Sequence, residues 1–80
     1  MANEMHKVLV VGAGSIGERH LRCFLATGRC EVSFVEVNET LRQTIASRYP
    51  ACGFATLDEG IANRPNLAVI ATPAQLHVEM

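Results

Sequence analysis

Three glycines, Gly12, Gly14 and Gly17, are spaced as Gly-x-Gly-x-x-Gly between an uninterrupted apolar run, Lys7 to Val11, and an amphipathic segment. The string alone is weak, because glycines are common; its setting gives it weight. A strand buried on both faces reads as a continuous apolar run. The following segment, from about Ser15 to Thr27 with a stop at Gly28, places Gly17, Leu21, Phe24 and Leu25 on one helical stripe. Glu18, Arg19 and Arg22 fall on the solvent side. The chain therefore passes from a buried strand through a tight glycine turn directly into a helix.

The rest repeats this alternation, the pattern of parallel strands joined by crossover helices. A second strand, Glu31 to Val35, is rich in Val and Phe. A second helix is expected after it, with Asn38 as N-cap, Leu41, Ile45 and Tyr49 at four-residue spacing, and Pro50 as its stop. Cys52 to Ala55 forms a weak third strand. Thr56 with Glu59 resembles a capping box for a short helix carrying Leu57 and Ile61. After a turn at Pro65 and Asn66 comes a fourth strand, Leu67 to Ala71, and then Thr72, Pro73 and Gln75 as the start of another helix. The expected fold is an α/β partial Rossmann fold: a parallel sheet in the order 3-2-1-4, helices on both faces, right-handed crossovers. The last helix has no stop signal before Met80, so the expectation is a truncated domain over residues 1–80.

Each part of the glycine loop has a job in such a fold. Gly12 permits the turn, Gly14 lacks the Cβ that would hold backbone N–H groups away from a pyrophosphate, and Gly17 lets the helix approach the sheet. Free N–H groups and the positive dipole end at Ser15 and Ile16 then face the phosphates. Ser15 and Glu18 also fit a capping box. Glu36 closes the second strand somewhat over twenty residues on, at the distance where a carboxylate reads the adenosine ribose. These residues imply a dinucleotide site, with NAD expected over NADP because Glu36 would face a 2′-phosphate; Arg42 is the nearby cation that could oppose this. The plainer alternative is that the glycines only shape a turn and Glu36 is a solvated charge.

Composition narrows the partners. With 49% hydrophobic against 19% charged residues the chain can build a core, and its formal net charge of -1 offers no basic footprint for nucleic acid or an anionic membrane. No apolar run approaches the ~20 residues of a membrane span, so a cytoplasmic protein is expected. Cys23, Cys30 and Cys52 match neither a disulfide framework nor a zinc site and read as reduced thiols; no metal site is expected. His20 reads as a surface residue on the first helix. His77 follows the C-terminal end of the fourth strand, where ligands bind in open α/β sheets.

The opening KVLVVGAGSIGERH, Lys7 to His20, resembles the glycine loop of the Gfo/Idh/MocA oxidoreductases, including the His three residues after the last glycine. Glu36 stands where that family usually has Asp or Glu, and LAVIATPAQLH, Leu67 to His77, resembles its fourth strand and Thr-Pro-x-x-x-His segment. The resemblance implies an N-terminal NAD(P)-binding domain followed by a larger domain that closes over a sugar, cyclitol or similar substrate. Gly12, Gly14, Ser15, Ile16 and Gly17 would line the pyrophosphate, Glu36 would hold the ribose, and Thr72, Pro73 and His77 would border the cofactor. The family's catalytic Lys, in a Glu-Lys-Pro motif, is expected beyond Met80. Lys7 is the only lysine here, so no catalytic residue is assigned to this chain. The expected activity of the parent is hydride exchange with a carbinol or carbonyl substrate; the alternative is a non-catalytic nicotinamide-nucleotide-sensing module. Self-association is expected through the unpaired edge of Leu67 to Ala71.

Overall fold

A computed structural model describes residues 5–71. Within them the elements are β1 (His6–Val11), α1 (Ser15–Ala26), β2 (Cys30–Val35), α2 (Glu39–Arg48), β3 (Cys52–Phe54), α3 (Leu57–Ala62) and β4 (Leu67–Ile70). The four strands are all parallel, in the order β3-β2-β1-β4. The order and the element types agree with the sequence reading, and the boundaries move by a residue or so. The helix expected from Thr72, with Pro73 and Gln75, lies outside the described residues, as does His77.

Alternation along the strands divides the core between two faces. Val8 and Val10 of β1 and Val32 and Phe34 of β2 pack with Leu21 of α1 and Ile45 of α2, all buried. Leu9 and Val35 point the other way, toward α3, where a Cβ on Gly60 would lie 2.8 Å from Val35 Cγ2 and 3.0 Å from Leu9 Cδ1. Helices therefore cover both faces. The glycine inside α3 is explained by that close approach to the sheet.

Local signals set most of the ends. Asn38 caps α2 by accepting from the Leu41 N–H at 2.9 Å, and Gly28, at φ +70°, follows the C-cap Thr27 of α1 in the left-handed region that glycine tolerates. Thr56 caps α3 by accepting from the Glu59 N–H at 3.2 Å. Glu59 reaches one residue further back than a capping box requires, to the Ala55 N–H at 3.1 Å. Lys7 is structural: its N–H donates to Asn66 Oδ1 at 2.8 Å and its ammonium to the Asn63 carbonyl at 2.5 Å, tying the α3–β4 turn to the start of β1.

Two expectations need correction. The Ser15–Glu18 capping box does not form, because Gly14 is the N-cap and Ser15 is already the first helical residue. Glu18 is not simply a solvent-side charge: its carboxylate accepts from the Tyr49 hydroxyl at 2.7 Å and pairs with Arg48 at 3.1 Å. The open edge expected at Leu67 to Ala71 is present: β4 has no outer strand partner among the described residues, and Leu67 and Ile70 are about half exposed.

The Tyr49 hydroxyl, aided by Arg48 and more weakly by Arg22, holds the Glu18 carboxyl below its ordinary range. A depressed folded-state pKa contributes stability that is present above the unfolded value, 4.5, and is lost as pH falls through the folded value. Tyr49→Phe is therefore expected to lower the melting temperature most near neutral pH, with the gap to the unmutated chain narrowing below pH 4.5. Thermal melts by circular dichroism between pH 7 and 3 check this; a gap independent of pH would contradict it.

Candidate functional site

The strand register brings the glycine loop and Glu36 together. Val11 of β1 is level with Val35 of β2 and Ile70 of β4, and Val35 is level with Phe54 of β3. All four strands therefore finish at one edge. The ladder continues one residue further, through Gly12 N–H to the Val35 carbonyl at 2.8 Å, Glu36 N–H to Phe54 at 2.9 Å and Ala71 N–H to Val11 at 2.8 Å. In open parallel sheets ligands bind outside this edge, where successive crossovers leave in opposite directions. Here that point lies between β1 and β4, since α1 and α3 lie on opposite faces.

The loop's shape follows from its glycines. Gly12 has φ +95°, a conformation that L side chains rarely adopt. A Cβ on Gly17 would lie 1.8 Å from the Gly12 carbonyl oxygen, so helix and turn touch backbone to backbone. Gly14 differs from both. A Cβ there would meet nothing within 4 Å, and as N-cap it offers no side chain to the helix. The first bond of the α1 ladder runs from the Glu18 N–H to the Gly14 carbonyl at 2.7 Å, so the N–H groups of Ser15, Ile16 and Gly17 precede that ladder. Gly14, Ser15 and Ile16 are exposed. Open space in front of unused N–H groups fits an anion such as a pyrophosphate.

Glu36 is more than a strand-end charge. Its Oε1 accepts from the Ala13 N–H at 2.9 Å, inside the glycine loop, and its Oε2 accepts from the Asn38 N–H at 3.0 Å, at the start of α2. One half-buried carboxylate thus joins the start of α2 to the glycine loop, whose Ala13 is 23 residues before Glu36 in sequence. The sequence reading placed Glu36 beside the loop but missed this bridge. Each carboxylate oxygen has a second acceptor site, which leaves room for ribose hydroxyls.

Arg42 completes the surroundings. Its Nη1 donates to the Glu36 carbonyl at 2.8 Å, and Val37, next to Glu36, is 80% exposed. His20 is exposed on α1, away from any recorded partner among the described residues. Thr72, Pro73 and His77 lie outside those residues; Ala71, immediately before them, lies against the loop, its Cβ 3.6 Å from where a Cβ on Gly17 would be. Among the described residues no group of His, Cys, Asp and Glu side chains could hold a metal ion, and no helix is long and apolar enough to cross a membrane. Cys23, Cys30 and Cys52 are free thiols.

The sequence model of the Gfo/Idh/MocA oxidoreductases, a family with an NAD-binding Rossmann fold, matches residues 6–80. The chain belongs to this family. Its cofactor is therefore NAD, in keeping with the loop geometry. Similar solved structures include the WlbA dehydrogenase of Bordetella pertussis in complex with NADH and UDP-GlcNAcA, 26% identical over 92% of this chain with a TM-score of 0.80. The WlbA dehydrogenase of Chromobacterium violaceum, also in complex with NADH and UDP-GlcNAcA, is 21% identical over 96% of this chain, again with a TM-score of 0.80, a likeness of fold. The chain spans 23% of the length of each. No curated protein matches it.

Proposed function

We propose that residues 1–80 are the opening part of the NAD-binding domain of a longer oxidoreductase, whose substrate domain lies elsewhere in the parent protein. The observation that carries this is the Glu36 carboxylate clasping the Ala13 N–H beside the open space at Gly14. Gly12, Gly14, Ser15, Ile16 and Gly17 would receive the pyrophosphate, with backbone N–H groups and the α1 dipole meeting its charge. Glu36 would accept from the adenosine ribose hydroxyls. Thr72, Pro73 and His77 would border the cofactor beyond β4.

When bound, NAD supplies hydride exchange with a carbinol or carbonyl. This chain's residues bind and orient; none is assigned to proton transfer, because the family's Glu-Lys-Pro lysine has no counterpart here and Lys7 is tied to Asn63 at the far edge of the sheet. The substrate class we propose is a sugar, cyclitol or related compound, and the WlbA complexes support a sugar nucleotide as one such substrate. Free thiols and the absence of a disulfide among the described residues accord with a cytoplasmic setting.

The cofactor test is a pair of calorimetric titrations with NAD and NADP, on the unmutated chain and on Glu36→Gln. NAD is expected to bind more tightly. Charge-assisted hydrogen bonds contribute about 1.5 to 3 kcal/mol, so the preference should narrow by roughly tenfold or more in Glu36→Gln. Equal binding of the two cofactors by the unmutated chain, or an unchanged ratio in the variant, would remove Glu36 from the ribose site.

We also propose that the isolated chain self-associates through β4. Its outer edge has no strand partner among the described residues, and Leu67 and Ile70 are 50% and 58% exposed. A two-fold axis joining two β4 edges antiparallel would pair those backbone groups. Ala71 donates its N–H inward to Val11, so the N–H groups of Ala68 and Ile70 face the open edge. Sedimentation over a dilution series is expected to show a dimer dissociating to monomer, abolished by Ala68→Pro; a monomer at all concentrations would contradict this.

A further inference from the structure

The first turn of α1 begins at a glycine that makes no side-chain capping bond. A capping side chain would compete with a pyrophosphate for the same N–H groups, so the turn has to be held by other means. The backbone contact of Gly17 with Gly12 is one support. Glu18 supplies a second. Its N–H closes the first turn on the Gly14 carbonyl at 2.7 Å, and its carboxylate Oε2 accepts from the Tyr49 hydroxyl at 2.7 Å and from Arg48 Nη1 at 3.1 Å. One residue thus carries both the bond that begins the helix and the bond that ties that helix to the end of α2.

Tyr49 is a fixed post for this tie. It packs half-buried against the core, donates its N–H to the Ile45 carbonyl at 3.1 Å and accepts at its own carbonyl from the Ala51 N–H at 2.8 Å. Arg48 is the weaker partner, because its side chain is exposed and exposed ion pairs contribute little. The hydroxyl is also the foremost cause of the depressed Glu18 carboxyl, so the acceptor stays ionised and the bond charge-assisted.

We infer that Glu18 and Tyr49 are a positioning pair for the pyrophosphate: the bond between them, across 31 residues of sequence, fixes the first turn of α1 in the orientation that aims the Ser15 and Ile16 N–H groups. The inference rests on the reading of the glycine loop as a pyrophosphate site. Neither side chain touches the cofactor; both act through the backbone of that turn.

The test uses the whole isotopically labelled chain and two probes, adenosine and ADP, with amide shifts followed by NMR. Adenosine reports on the Glu36 end alone, and ADP adds the pyrophosphate. In the unmutated chain ADP is expected to shift the amides of Ser15 and Ile16 and to bind more tightly than adenosine. Tyr49→Phe, which removes a single oxygen, should weaken ADP by about fivefold and adenosine by less than about twofold, as for a turn left aligned about a fifth of the time. Glu18→Ala should do the same. Because both substitutions break one bond, the double variant should lose no more than Tyr49→Phe alone. Glu18→Gln keeps an acceptor for the hydroxyl and should recover most of the loss seen in Glu18→Ala. If Tyr49→Phe weakens both probes equally or leaves their ratio unchanged, the pair only joins two helices and the inference is overturned; losses that add in the double variant overturn it too. If ADP leaves the loop amides of the unmutated chain unmoved, the pyrophosphate reading itself fails, and this inference with it.

Discussion

The site depends on one carboxylate shared between two turns. Glu36 stands at the end of β2, accepts from Ala13 in the glycine loop on one side and from Asn38 at the head of α2 on the other, and so makes the two turns a single surface. Hydrogen bonds to a charged group are worth more than neutral ones, about 1.5 to 3 kcal/mol each. Two of them on one side chain order a stretch of backbone that would otherwise have only the strand ladder to hold it. The interaction also defines the chemistry available, because a carboxylate with one acceptor site left on each oxygen can still take two hydroxyl hydrogens.

That arrangement requires the loop to be held close to the sheet, and the glycines meet the requirement in different ways. Gly12 turns the chain at positive φ, Gly17 allows the helix to rest on the Gly12 peptide, and Gly14 leaves space in front of the helix N-terminus. The level finish of β1, β2, β3 and β4 then brings the loop, Glu36 and Ala71 to one edge. On the far side of α1, Glu18 is turned toward Tyr49 and Arg48, which links α1 to the end of α2 and keeps that negative charge occupied.

Much of this was legible in the sequence, for reasons that differ by residue. The buried run of β1, the glycine spacing, and the caps at Asn38 and Thr56 are local patterns, set by interactions between residues a few positions apart. The Glu18–Tyr49 bond spans 31 residues, and the second bridge of Glu36, to Ala13, spans 23. Such pairs depend on how crossovers stack, which no local pattern encodes. Glu18 therefore looked like half of a capping box. Arg42 lay between these cases: its closeness to Glu36 was visible along the chain, but its direction is decided by Gly53 on another strand, where a Cβ would lie 2.9 Å from Arg42 Cγ. A glycine inside a short strand signals close approach by a neighbour, and that signal could have pointed to a side chain crossing β3. Gly60 within α3 carries the same message on the opposite face.

The most direct measurement is a crystal structure of the chain grown with NAD. The account predicts the pyrophosphate against the N–H groups of Gly14, Ser15 and Ile16, and the adenosine ribose on the Glu36 carboxylate, with the bonds from Ala13 and Asn38 retained. A cofactor bound away from the loop, or a ribose that does not touch Glu36, would contradict it.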